Sequence, residues 1–343
     1  MSTDNERTRK EAVTHQLIAE QAGVHPSTVS RILRRPPGAR RSDFAAIETR
    51  VREAADRLGY RPNLAAASLR TNRSMVFGVL LPELHDVVLA PILSGADTAA
   101  FSMGYQTIVT NTFADEERRW QRVQMLLSRH VDGLIIGDAT LDDRIYQELA
   151  RSGTPHVLVN HKMAGHASVT GNDELGGRLV AEHLLAAGHR QVAIIAGPSY
   201  PVVNERVQGF VEVFAAHSSE IAPTSIAEST FDPRGGRLAA ESLLALTPRP
   251  TAIFAVNDSA AIGAMGAMRD HGLSAGIDIA IVGYNDIPIA RDLPVALSSV
   301  RTPLREMGEA AARLLGRMIE GEEPASESID PTLIVRDSST LRA

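Results

Sequence analysis

The sequence predicts a small all-α head, a short connecting segment and a two-lobed α/β body built on parallel sheets. Three observations carry that reading. The first is charge: the chain has a net charge of −6, yet residues 1–73 hold 14 Lys and Arg against 8 Asp and Glu, which sets a basic head of +6 on an acidic body of −12. The second is a pair of short helical patterns around a glycine within that head. The third begins at Met75, where short apolar runs alternate with longer amphipathic stretches, the pattern of parallel strands joined by crossover helices.

Within the head, residues 13–33 read as two helices with a tight turn at Ala22-Gly23-Val24. Leu17, Ile18, Val29 and Ile32 are the expected buried positions. Ala19 is small enough for a close crossing, Gly23 can take the positive φ that the turn needs, and Pro26 suits the first turn of the second helix. Together they make a helix-turn-helix pattern. After the Pro- and Arg-rich stretch Arg34 to Arg41, a third amphipathic helix over Phe44 to Leu58 places Ile47, Val51, Ala54, Ala55 and Leu58 on one side, and Gly59 ends it. Beyond the breaker Tyr60-Arg61-Pro62-Asn63, the Ala-rich run Leu64 to Arg70 is too short to stand as a helix without a partner. The expected domains are a helix-turn-helix unit over 1–60, a hinge segment over 61–73 and a body over 74–343.

In the body, strands are expected over Met75 to Leu81, Gln106 to Thr110, Gly133 to Ile136 and His156 to Val159. The pattern restarts with Gln191 to Ala196, Ala252 to Val256 and Ile279 to Gly283, and helices are expected near 175–187, 205–216, 235–246 and 260–271. A last helix, Pro303 to Glu320, and a strand, Thr332 to Arg336, return after the second lobe. The expected first lobe is therefore about 74–160 with a return segment near 300–325, and the second about 161–299 with the C-terminal strand. Ligands of such folds lie at the carboxyl ends of the strands, here between the lobes.

Composition narrows the function. At 343 residues and 44% hydrophobic content the chain can bury a large core. Cysteine is absent, which removes disulfides, thiolate metal ligands and a cysteine nucleophile and suits a reducing cytoplasm. The charged start, Met1 to Glu11, is unlike an export signal, and no run approaches the roughly 20 apolar residues of a membrane span, so a cytoplasmic protein is expected. That also disfavours a solute-binding protein of a transport system, which would share the two-lobed body. No G-x-x-x-x-G-K-[ST] and no H-x-x-x-H is present, so neither an enzyme nor a cofactor or metal site is expected. A basic head on an acidic body is the footprint of a nucleic-acid binder.

The run AGVHPSTVSRIL resembles the AGVS-x-x-TVSR-x-L helix-turn-helix of the lactose-repressor family, and LGYRPNLAAASLR resembles its LGY-x-PN-x-x-A-x-SL-R hinge. HVDGLII, LLAAGHRQVAIIAG, ERVQGF, PRPTAIFAVND, DIAIVGYND and LIVRDSST resemble further landmarks in the same order, so the likeness runs over the whole chain. It implies a periplasmic-binding-protein-like body and a regulator, most often a repressor and less often an activator, that binds a double-stranded, pseudo-palindromic operator. A homodimer is implied, with a tetramer also open, together with a small polar effector and no membrane partner.

By the same resemblance Pro26, Ser27 and Arg31 face base edges, with Arg31 the expected reader of guanine, while Thr28, Ser30, Arg34 and Arg35 touch phosphates. Asn63 lies in the hinge, and Leu69 aligns with the leucine that wedges into the minor groove. His25 departs from the pattern, since it stands where the family has a helix-capping serine. The implied effector residues are His85, Asp86, Asn160, Arg206, Phe231, Asn257, Asp258 and Asp286, with Arg206 and Asp286 expected on opposite sides of one cleft. The family's aromatic run after the first strand is replaced by Asp86-Val87-Val88-Leu89, and Trp120 is expected to be half-buried packing. A sugar acid and a neutral sugar or polyol both remain open as effectors.

Overall fold

The computed structural model describes residues 13–33, 45–60, 73–113, 115–138 and 143–340, and the chain divides into two compact units, 1–73 and 74–343. The first unit holds α1 (His15–Ala22), α2 (Pro26–Leu33) and α3 (Ala45–Leu58). Thr14 Oγ1 accepts the Leu17 N–H to start α1, and Gly23, at φ 64°, ends it by donating its N–H to the Ala19 and Glu20 carbonyls. Ile18, Ala19, Ala22, Val29, Val51, Ala54 and Ala55 form one buried cluster. Leu17, expected inside, is 41% exposed, because the short α1 buries the stripe Ile18, Ala19 and Ala22 and Leu17 falls outside it. A 2.7 Å bond between Tyr60 Oη and His15 Nε2 ties the end of α3 to the start of α1.

In the second unit, β1 (Val76–Leu81), β2 (Gln106–Asn111), β3 (Gly133–Ile136), β4 (His156–Val159), β5 (Ser168–Gly171) and β11 (Glu327–Ile329) form a parallel sheet in the order β11-β5-β4-β3-β1-β2. The helices α4 (Leu89–Ser102) and α11 (Leu304–Ile319) pack on one face. On the other face pack α5 (Glu116–Ser128) and α6 (Asp143–Ser152).

The second sheet has the order β12-β10-β9-β8-β6-β7. It is built from β6 (Val192–Ala196), β7 (Ile226–Glu228), β8 (Ala252–Ala255), β9 (Ala280–Asn285), β10 (Ser298–Arg301) and β12 (Thr332–Ile334), of which only β12 runs antiparallel to its neighbour. The helices α7 (Asp173–Ala186) and α8 (Pro201–Ala216) cover one face and α9 (Pro233–Leu244) and α10 (Asp258–Asp270) the other.

The lobe boundary lies later than the 160 that the sequence suggests. Ser168–Gly171 and Glu327–Ile329 complete the first sheet, so the chain changes lobe after β5, between β10 and α11, and again between β11 and β12. The run Ser168-Val169-Thr170-Gly171 has one aliphatic residue, so nothing apolar announces a strand, although all four residues are buried. Its identity as a strand comes from its neighbours.

Candidate nucleic-acid interface and effector cleft

On α2, Val29 turns into the core while Ser27 and Arg31, one turn apart, stay exposed, and Pro26, Thr28 and Ser30 are half-buried. The helix start is capped by an imidazole instead of a hydroxyl. His25 Nδ1 accepts the Ser27 N–H at 3.3 Å and lies 2.8 Å from Ser27 Oγ, so the Ser27 hydroxyl already has a partner in the protein. Arg34, Arg35, Asn63 and Leu69 lie outside the described residues, as does most of the hinge segment.

The carboxyl edges of the two sheets meet in the body. Val88 packs against the cores of both lobes, and Lys162, in the loop after β4, pairs with Glu205 near the start of α8 across the lobe boundary. On the second lobe the sequence-predicted polar groups already have protein partners. Gly177 and Gly209 let α7 and α8 cross so closely that a Cβ on either would land on the other helix's backbone, at the Arg206 and Glu174 carbonyls. That crossing aims the buried Arg206 at Asp173. Arg206 Nε donates to Asp173 Oδ1 at 2.6 Å and Nη1 to the Val256 carbonyl at 2.8 Å, and the guanidinium lies 3.9 Å from the Tyr284 ring centroid. Burial works against the charge, yet Asp173 and Tyr284 hold its pKa above the ordinary value.

Asn257 caps α10 by accepting the Ala260 N–H at 2.8 Å, and its Nδ2 donates to the Phe231 carbonyl at 3.0 Å. Asp258 Oδ1 accepts from Ser299 Oγ at 2.6 Å and Oδ2 from the Ile287 N–H at 2.8 Å. Burial pushes its carboxyl up to about 7, with a further push from Asp286, against those two hydrogen bonds and the Arg336 charge. Asp286 sits in the left-handed region at φ 53° and is gripped by two arginines, Oδ1 by Arg336 at 2.7 Å and Oδ2 by Arg301 at 2.8 Å. Arg206 and Asp286 thus share the second lobe and do not face each other from opposite walls, because the ERVQGF helix and the strand before Asp286 pack in one core. Phe231 is 40% exposed and stacks near Tyr200, with ring centroids 6.0 Å apart.

On the first lobe, His85 is exposed beside Glu83, 3.0 Å away, and Asp86 accepts the Val88 and Leu89 N–H groups that lead into α4. Asn160 takes φ 60° at the end of β4. Sequence reasoning missed the buried cluster beside it. Asp138 Oδ2, just past β3, accepts from Thr112 Oγ1 at 2.6 Å and from Arg119 Nε at 2.9 Å; His161, two residues past β4, and Tyr146, early in α6 and packed against His156 and His166, are also buried. Each stands one or two residues beyond a strand or early in a helix, the only sequence signal they carry. Trp120 is half-buried under Arg144, 4.6 Å from its ring centroid. Among the described residues no group of three His, Asp or Glu could hold a metal ion, and no helix is long and apolar enough to cross a membrane.

Residues 16–63 match the model of bacterial regulatory proteins of the lacI family, and residues 181–339 that of a periplasmic binding protein-like domain. The ribose operon repressor of Haemophilus influenzae is 33% identical over 330 residues, covering 94% of this chain and 97% of that protein. The lac repressor dimer bound to operator and the anti-inducer ONPF superposes with a TM-score of 0.82 at 28% identity, covering 97% of this chain and 100% of that one. The complex of the transcriptional regulator CelR with cellobiose gives 0.73 at 29% identity over 95% of this chain and 99% of that one. With two-lobed body, helix-turn-helix head and near full-length likeness in agreement, the chain belongs to the lacI family of bacterial regulatory proteins and is a DNA-binding transcriptional regulator, not an enzyme.

Proposed function

We propose that this regulator acts in the cytoplasm as a repressor, binding a pseudo-palindromic operator as a homodimer, and that a small neutral sugar or polyol between its lobes changes its operator affinity. The observation that carries the DNA half is the exposed Ser27–Arg31 face of α2, opposite the buried Val29, in a head of net charge +6. Arg31 is the base reader, with Pro26 and Ser27 beside it. Thr28, Ser30, Arg34 and Arg35 hold phosphates, Asn63 belongs to the hinge, and Leu69 is the minor-groove wedge. Ser27 reaches DNA only by giving up or sharing its His25 contact.

The neutral class follows from the charges at the second-lobe edge. Arg206 is answered by Asp173, and Asp286 by Arg301 and Arg336, so the charges of these two lining residues are already balanced within the protein. His85, Asp86, Asn160, Arg206, Phe231, Asn257, Asp258 and Asp286 are the proposed lining, with Phe231 and Tyr200 as the apolar wall. Two relatives are named for ribose and cellobiose, both neutral sugars.

Binding-site selection with the full chain tests the DNA half. Arg31→Ala is expected to cost about 1–3 kcal/mol and to lose preference at one base position in each half-site. Unchanged base preference in the variant would remove Arg31 from the reading role.

A further inference from the structure

The imidazole that starts α2 also sets what the exposed Ser27 hydroxyl can offer to DNA. Pro26 carries no N–H, and the His25 carbonyl takes the Thr28 and Val29 N–H groups at 2.8 and 3.3 Å. The Ser27 N–H is left over, and it donates to His25 Nδ1 at 3.3 Å. A ring nitrogen that accepts bears no proton, so the imidazole proton sits on Nε2. Ser27 Oγ lies 2.8 Å from the same Nδ1. Because a lone pair faces it there, the hydroxyl is the donor of that contact, and its proton points back into the protein.

A free serine hydroxyl reads donors and acceptors alike, since it has one proton and two lone pairs. With its proton committed to His25, Ser27 presents lone pairs alone. In the major groove the donors are the exocyclic amino groups of adenine and cytosine, whereas guanine and thymine offer O6, N7 and O4, which would set acceptor against acceptor. We infer that His25 is a positioning residue for DNA recognition: it makes Ser27 an acceptor and so selects an amino base, adenine or cytosine, over a keto base, guanine or thymine, at one position of each half-site. Pro26 has no polar side chain, so it supplies no competing donor beside Ser27. This inference rests on the reading of α2 as the base-reading helix and adds the chemical edge that Ser27 reads. The contact with His25 is then shared, with the proton serving the imidazole and the lone pairs serving DNA.

The test uses the full chain and duplex DNA with a randomised core. Selection with wild type and Ser27→Ala finds the position at which the variant loses its preference, and affinities are then measured for duplexes carrying each of the four bases there. Expected for wild type is an amino base bound roughly fivefold more tightly than a keto base, the scale of one hydrogen bond. His25→Asn puts an amide oxygen in place of Nδ1, which accepts from the same two groups, and should keep that ratio. His25→Gly removes the acceptor and frees the Ser27 proton, so the ratio should fall to within about twofold. Glycine is tolerated at a helix N-cap, and a ratio taken on one protein cancels any uniform loss of affinity. The wild-type ratio and His25→Asn stand as the test if His25→Gly binds no duplex.

A purely structural role for His25 would weaken all four duplexes alike in His25→Gly and leave the ratio at its wild-type value, which would overturn the inference. So would a keto base preferred by the wild type, or a ratio that His25→Asn loses as fully as His25→Gly. Arg31→Ala separates this inference from the reading beneath it. If Arg31→Ala loses preference at a position and Ser27→Ala at none, α2 still reads DNA and the role of His25 fails. If neither variant changes the selected sequence, the reading of α2 fails and the inference falls with it.

Discussion

The carboxyl edges of the two sheets carry similar side chains in opposite states. On the second lobe, Arg206, Asp258 and Asp286 are each held by at least two protein partners. On the first lobe, the Asp138–Arg119 pair is closed in the same way, but Tyr146 Oη and His161 Nε2 beside it are left unmet. Among the described residues the second lobe has two such atoms, Tyr284 Oη, wedged against Gly176 beneath Arg206, and His189 Nε2, whose ring meets Thr251 only through Nδ1. The difference teaches that the charged residues which make the second-lobe edge legible also make it self-sufficient.

The sharpest break between the two edges is the removal of one member of a second-lobe pair. Asp173→Ala leaves the buried Arg206 charge without its carboxylate and should cost about 3–5 kcal/mol in urea unfolding. A loss below about 1 kcal/mol would show that Arg206 is not held as described and is available to a ligand.

Asp258 gives a pH signature. Its carboxyl titrates at about 7 in the fold against 3.8 ordinarily, so the folded state favours the protonated form. That contribution is fully present below about pH 4 and is lost as pH rises to about 7. Between those values wild-type stability should fall relative to Asp258→Asn by on the order of 1 kcal/mol per pH unit, since the amide keeps a donor for Ser299 and an acceptor for the Ile287 N–H. Parallel stability profiles across that window would remove Asp258 as a titrating group.

Smaller effects probe the first lobe. Tyr146→Phe should raise ligand-free stability by about 1 kcal/mol, the opposite sign to the second-lobe substitution, because a buried hydroxyl without a partner is removed. Lys162→Met, which cuts the half-exposed link to Glu205 across the lobes, should change stability by less than about 1 kcal/mol and progressively less as salt is raised. A larger, salt-insensitive loss would show that the lobes depend on that link.

Much of the architecture was legible in the sequence. The strands that carry long apolar runs, such as Val76–Leu81 and Ala280–Asn285, were found because alternation of strand and helix leaves a strong pattern. Ser168–Gly171, Ile226–Glu228, Ser298–Arg301 and Glu327–Ile329 were not, since they are only three or four residues long and defined by the strand beside them. The candidate site divides along the same line. Arg206, Asn257, Asp258 and Asp286 sit inside recognisable motifs, but their partners Asp173, Ser299, Arg301 and Arg336 are distant in sequence and only packing joins them. Asp138, Tyr146 and His161 belong to no motif, and only packing shows them buried, Asp138 with two partners and each of the others with one atom unmet.

The central claim is that ligand and operator act on one equilibrium of this chain. The direct measurement is reciprocal: sugar affinity with and without saturating operator, and operator affinity with and without saturating sugar, on the full-length wild type. The account predicts one coupling factor, different from unity and equal in the two directions, of roughly 5- to 150-fold. Specific operator binding that no sugar or polyol alters, with sugar affinity equally indifferent to operator, would contradict it.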